Sequence, residues 1–220
     1  MREYIFVQIV LVIVVIIISI RAVQNIRVDK RINSIFPIQK NNTRYLGNEF
    51  NKVPRAVKNY IDLTGAYKYK ASRRMKINFR GMYRTYREKR WWRFILKTYV
   101  SFDDRAYIFD GCTRVIPGIK ARFIDELHYK GASFEFYLSS MFKFAEGNGE
   151  AIEYNSVLNY LIYCFLSPIY LAQEDFDWDD SENNEVTGRY THNNTRINFS
   201  VEFDENGKEN AWTLLVVWFL

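Results

Sequence analysis

Proline and glycine are scarce, with four and ten residues in a chain of 220. No Ser-rich, Pro-rich or single-letter tract accompanies them and no internal repeat is visible, which excludes a string of linked modules. The apolar and charged fractions are those of a folded chain, so one sizeable core with an appendage is the default. Cysteine is scarcer still. Cys112 and Cys164 lie far apart among apolar or strand-like residues and read as two buried thiols, with no compartment signal. Only two histidines occur. No Ser, Cys, His and Asp arrangement and no phosphate or cofactor signature can be assembled, so no cofactor is expected and the residues name no reaction.

What the chain does have is an uninterrupted apolar run. "YIFVQIVLVIVVIIISI", Tyr4 to Ile20, carries no charge, and as a helix it spans ~25 Å. A cleaved signal peptide is the alternative, but the run is long for that role and "SIRAVQ" offers no small-x-small cleavage site. Lipid also suits its β-branched residues, because no water competes for the backbone. The sequence therefore divides into a membrane anchor over 1–21, a mixed juxtamembrane segment over 22–50 and a single domain over 51–220. Arg21, Arg27, Lys30 and Arg31 follow the run and are candidates for contact with the membrane surface. By the positive-inside rule they place the domain in the cytoplasm, although a type II signal anchor has the same appearance.

Charge is split along the chain. Residues 21–110 hold 22 Lys and Arg against 7 Asp and Glu, whereas residues 111–220 hold 8 against 17. The stretch from Lys68 to Lys97 has twelve cations, interleaved with aromatics, and a lone Glu88. Such interleaving suits nucleic acid or anionic lipid. It also suits the solvent face of strands, since the cations alternate with apolar residues, and nucleic acid is the least favoured of these partners.

Hydrophobic spacing gives the elements. In "VPRAVKNYI", Val53, Ala56, Val57, Tyr60 and Ile61 mark a short helix entered at Pro54 and closed near Gly65. Strands follow in "RMKINFR", where Gly81 marks a bulge or turn, and in "WWRFILKTYVSF", turned by Asp103 and Asp104 into "RAYIFDG". "ARFIDELHY" and "SFEFYLSSMFKF" alternate as two more. A helix with the stripe Tyr154, Val157, Leu158, Leu161, Ile162 and Phe165, capped near Asn155 and stopped by Pro168, precedes "EVTGRYT" and "RINFSVEF"; Asn206-Gly207 then signals a hairpin. Strands in sequence with few helices predict an α+β fold, a mainly antiparallel curved sheet packed on one or two helices behind a single transmembrane helix.

Two places invite chemistry. "QEDFDWDDSENNE" crowds seven carboxylates into thirteen residues, and Asp175, Asp177 and Asp179 match the first three ligand positions of a calcium loop. The match then fails, with Asp180 where glycine is needed and Val186 where glutamate is needed. A strand with Phe176 and Trp178 inward and the aspartates outward fits better. The second place is Asp125, on the strand face of Ala121, Phe123, Leu127 and Tyr129. If that face is core, its carboxylate must be hydrogen-bonded, paired or neutral, and with a neighbouring cation it is a weak catalytic candidate. His128 falls on the opposite face and His192 in a polar loop.

In "VPRAVKNYIDLTG", "DELHYKGASFEFYLSSMFKFAEGNGEAIEYNSVLNYLIYCFLSP", "FDW" and "VEFDENGK" the chain resembles an uncharacterised bacterial domain-of-unknown-function family, often preceded by membrane spans. The resemblance matches Asp125, Tyr129 and Gly131 to the family's aspartate, aromatic and glycine. The family's helix usually carries Arg and Glu where Asn159 and Tyr163 stand, which speaks against a catalytic pair here. The family continues beyond "FDENGK" with further strands, whereas "AWTLLVVWFL" is apolar almost throughout. A truncated chain, frameshifted near Glu209 and lacking closing strands, is the resulting expectation. The functional expectation is a membrane-surface module for a lipid or other hydrophobic ligand, with an enzyme using Asp125 and an anion or nucleic-acid binder through 68–97 as alternatives.

Overall fold

In the computed structural model, residues 2–35, 43–44, 50, 52–65, 71–84, 91–116, 119–139, 142–179, 185–203 and 209–213 are described. Helix α1 (Arg2–Ile35) is followed by the short strand β1 (Thr43–Arg44), helix α2 (Arg55–Leu63) and β2 (Ala71–Ser72), which pairs with β1. A six-stranded antiparallel meander comes next: β3 (Arg74–Tyr83), β4 (Trp92–Ser101), β5 (Ala106–Ile116), β6 (Ile119–His128), β7 (Gly131–Leu138) and β8 (Phe142–Asn148), paired in that order. Helix α3 (Glu150–Leu166) and a 3-10 turn (Pro168–Ala172) lead to a second antiparallel sheet of β9 (Phe176–Asp179), β10 (Glu185–His192), β11 (Thr195–Phe203) and β12 (Glu209–Thr213). The fold is α+β, with two meanders in place of the single sheet expected.

The principal core lies where α3 is held between the sheets. One flank of α3 meets the first sheet, with Tyr163 edge-on to Tyr107. The other meets the second, with Tyr160 against Tyr190 and Phe165 edge-on to Phe199. Burial on both flanks explains why α3 is apolar nearly all round. It also corrects the expected stripe: Ser156, Tyr160 and Cys164 are buried with Val157, Leu161 and Phe165. The helix starts at Glu150 behind Gly149, whose φ of 104° few other residues adopt, so Asn155 lies inside the helix and not at its cap. Val57, Tyr60 and Ile61 of α2 pack into the same core, and the Tyr60 hydroxyl donates to the Phe165 carbonyl at 3.1 Å.

One rule accounts for three strand glycines, including Gly81, which the sequence suggested as a bulge or turn. Gly81 sits opposite Phe94, Gly111 opposite Phe123, and Gly188 between Trp178 and Phe199. A Cβ on Gly81 would lie 2.8 Å from the Phe94 ring and one on Gly188 2.7 Å from the Phe199 ring; at Gly111 it would overlap the Phe123 ring. Each glycine is a seat for a cross-strand aromatic, so Gly81 makes no turn. "SFEFYLSSMFKF" is likewise a hairpin, with β7 ending at Leu138 and Ser139 at φ 55°.

Gly111→Ala should therefore destabilise the protein by roughly 1–3 kcal/mol through overpacking against Phe123, as measured by denaturant unfolding. The double variant Gly111→Ala/Phe123→Leu should recover part of that loss.

Candidate functional site

The register across the first sheet defines its inner face in rows. Ile77, Thr98, Phe109, Asp125, Phe134 and Gly147 lie opposite one another from β3 to β8. α3 crosses the strands along this row: Ile152 covers Gly147, Ser156 and Asn159 stand over Asp125, and Tyr163 reaches Thr98. Beyond it, toward the end bearing the β3–β4, β5–β6 and β7–β8 connections, two rows lie outside the helix. The first holds Phe79, Leu96, Gly111, Phe123 and Phe136, and the second Gly81, Phe94, Thr113, Ala121 and Leu138. Phe144 stands edge-on to Phe136, and Phe142 lies opposite Leu138. This floor is apolar and unroofed in part: Phe79 is 49% exposed, Phe142 66% and Phe144 75%. The exposed rings stand at the two edges of the sheet, on β3 and β8, with the partly covered Leu96, Phe123 and Phe136 between them.

Asp125 stands at the edge of that floor, beneath α3. Its carboxylate accepts hydrogen bonds from the Tyr107 hydroxyl at 2.5 Å, the Ser156 hydroxyl at 2.9 Å and the Asn159 amide at 3.3 Å. Burial raises its pKa against the opposing effect of these donors. No cation touches it among the described residues. Asp125 instead latches α3 to the sheet through neutral donors. Tyr107 is in turn pushed well above the usual phenol range, by its own burial first and then by the neighbouring carboxylate.

The outer face of the same sheet carries α1. The helix runs from Arg2 through to Ile35 and lays Val28, Ile32 and Ile35 against Ile108, Ile124 and Tyr137. Arg31 donates to both oxygens of Glu135, at 2.7 and 3.2 Å; Lys143 adds a bond at 2.8 Å and the Tyr137 hydroxyl one at 3.1 Å. Burial alone would raise the Glu135 pKa, but these donors, Arg31 first, hold it at about 2. Arg31 is thus bound to the sheet. Arg27 and Lys30 are exposed on α1, and Arg21 lines a groove at the other end of the docked segment.

The remaining candidates separate. Asp175 pairs with Arg105 at 2.6 Å and Asp177 with Arg189 at 3.7 Å, while Asp179 is exposed. Phe176 and Trp178 point inward as expected, and no metal-holding cluster occurs among the described residues. In the basic stretch Arg74, Lys76, Arg80, Arg93 and Lys97 fall on the outer face by strand alternation, with Lys76 over the Tyr99 ring. Residues 36–38, 66–70, 85–90, 180–184, 204–208 and 214–220, which include Glu88, Asp180, the Asn206-Gly207 turn and the apolar tail from residue 214 on, lie outside the described residues. His192 is a correction: it ends β10 and is buried against Tyr160, with no partner for either ring nitrogen among the described residues. Desolvation, and then Arg105, lower its pKa and keep it neutral. Continued alternation from Val186 through Gly188 and Tyr190 would have placed it inward.

Asp125→Ala should cost about 2–4 kcal/mol by stranding three donors, two of them on the buried Tyr107 and Ser156, and Asp125→Asn, which keeps one acceptor oxygen, should cost less in the same unfolding assay. The Glu135 clasp gives a pH dependence of fixed sign. Because its folded pKa lies below the unfolded value, its contribution is complete above about pH 4.5 and is lost as pH falls toward 2. In thermal melts Glu135→Gln should start lower at neutral pH and lose less stability than the native chain across that window.

No curated protein and no solved structure matches the chain. A family match covers residues 44–213, from β1 through β12, and thus takes in both sheets, α2 and α3. The chain belongs to the family of unknown function DUF6544.

Proposed function

We propose that this protein is a single-pass membrane module that holds a hydrophobic ligand, of the acyl-chain class, on the unroofed aromatic rows of its first sheet. The observation that carries the reading is the exposure of Phe79 on β3 and of Phe142 and Phe144 on β8, at the two edges of inner-face rows whose middle, Leu96, Phe123 and Phe136, is partly covered. Such a surface, apolar with few polar groups at its edge, is the kind that takes an aliphatic ligand. Membrane attachment is supported by α1, whose stretch from Tyr4 is long and apolar enough to cross a bilayer and has none of its most apolar window buried against the domain. A catalytic role for Asp125 has less support, since its three partners are neutral and already satisfy it.

The test is lipid extraction and native mass spectrometry of the full chain, purified in detergent and washed free of bulk lipid. The native protein should retain an acyl-bearing ligand that Phe123→Glu and Phe136→Glu variants of equal stability lose. Equal retention by native and variant chains, or none in either, would contradict the reading.

A further inference from the structure

The docked part of α1 fixes which end of the sheet meets the span. Arg21 and Asn25 lie by Ile95, Cys112, Lys120 and Ser139, whereas Arg31 and Ile35 lie by Glu126, Ala106 and Tyr129. The helix therefore runs along β6 in the strand's own direction, and its apolar part leaves from the end where β6 begins. Described residues remain partly covered as far back as Ile17, so no flexible linker separates span from domain. The same end presents Met82 and Trp91, 55% and 53% exposed, with the Arg84 guanidinium over the Trp91 ring. Aromatic and cationic side chains of this kind populate membrane interfaces.

At this junction the helix and the outer face of the sheet enclose a groove of about 330 Å³, lined by Arg21, Asn25, Lys97, Lys120, Arg122 and Cys112, among others. Among the described residues its charge is not balanced. Arg122 is joined to Asp110 by two bonds at 2.7 and 2.9 Å and donates to Asn25 at 2.9 Å, which occupies the groove's acidic group. Arg21, Lys97 and Lys120 form no ion pair with a carboxylate among the described residues. Three free cations thus converge on a cavity one residue past the end of the apolar run, where a bilayer's phosphates would stand.

We infer that this groove binds the phosphate of an anionic phospholipid from the leaflet at which α1 emerges. The lipid's acyl chains lie along the exposed apolar surface of α1, and its headgroup is held by Arg21, Lys97 and Lys120. Each cation near an anionic surface adds to the attraction, and partial enclosure reduces its screening. The inference rests on α1 crossing a bilayer but not on the inner aromatic rows binding a ligand.

Cys112 is a native reporter, half-buried in the groove, while Cys164 is fully buried. The full chain would be placed in nanodiscs of neutral phosphatidylcholine, or of the same lipid with phosphatidylglycerol, and Cys112 alkylated with uncharged N-ethylmaleimide. Anionic lipid should slow alkylation several-fold in the native chain. In Lys97→Gln/Lys120→Gln the slowing should largely vanish, which removes general surface effects because the bilayer is unchanged. Inorganic phosphate added to neutral discs should give little protection; protection equal to that of anionic lipid would replace the headgroup with a free anion and overturn the assignment. Equal rates in both discs, or equal slowing in native and variant chains, would also overturn it. Failure of the chain to co-elute with nanodiscs at all would refute membrane anchoring itself, a separate outcome.

Discussion

The docking of α1 on the outer face of the first sheet is the contact on which the arrangement of the molecule depends. It consists of a small apolar seam centred on Val28 and a clasp in which Glu135 receives Arg31, Lys143 and Tyr137. A carboxylate in partial burial is unfavourable alone, and the clasp is stable because each oxygen is met by a cationic donor. Removing either Arg31 or Glu135 leaves the other without its principal partner. Since the clasp and the apolar run are on one unbroken helix, the orientation of the sheet relative to that run is set by packing and not by a tether.

That orientation arranges the charge of the chain in space. The basic first half supplies Arg21, Arg84 and Lys97 near the point where the apolar run of α1 leaves the sheet, with Lys120 contributed from the second half. Many of the acids lie elsewhere: Asp103 and Asp104 are on the far β4–β5 turn, and Asp175 and Asp177 are on the second sheet, paired with Arg105 and Arg189. The proposed phosphate groove lies on the outer face and the proposed acyl surface on the inner face, and both open toward the same end. α3 separates that inner surface from the closed core, with Asp125 as its fastening to β6.

The elements that local chemistry determines were legible in the sequence. Alternation placed Met75, Ile77 and Phe79 on one face of β3, and spacing placed Val57, Tyr60 and Ile61 on the buried face of α2. Phe176 and Trp178 turned inward because a period of two outweighed the pull of the aspartates between them. What escaped were features decided by partners remote in sequence. Gly111 is explained by a ring twelve residues away on the next strand, and Glu135 by an arginine on α1. The helix continues past residue 21 because the sheet offers Ile108 and Ile124 to Val28, which the polar look of that segment concealed. Asp125 stands out in the sequence as a carboxylate on an otherwise apolar strand face, but only the course of α3 reveals that neutral donors receive it.

Amide hydrogen exchange on the full chain in nanodiscs addresses the docked helix most directly. If residues 21–35 belong to the folded domain, amides from Gln24 to Ile32 should exchange as slowly as those of β5 and β6 against which they pack, and Glu135→Ala should release the segment while leaving α3 protected. Rapid exchange across 24–32 in the native chain, with the strands protected, would contradict the account, for the helix would then be a tether and the position of the sheet relative to the span would be unset.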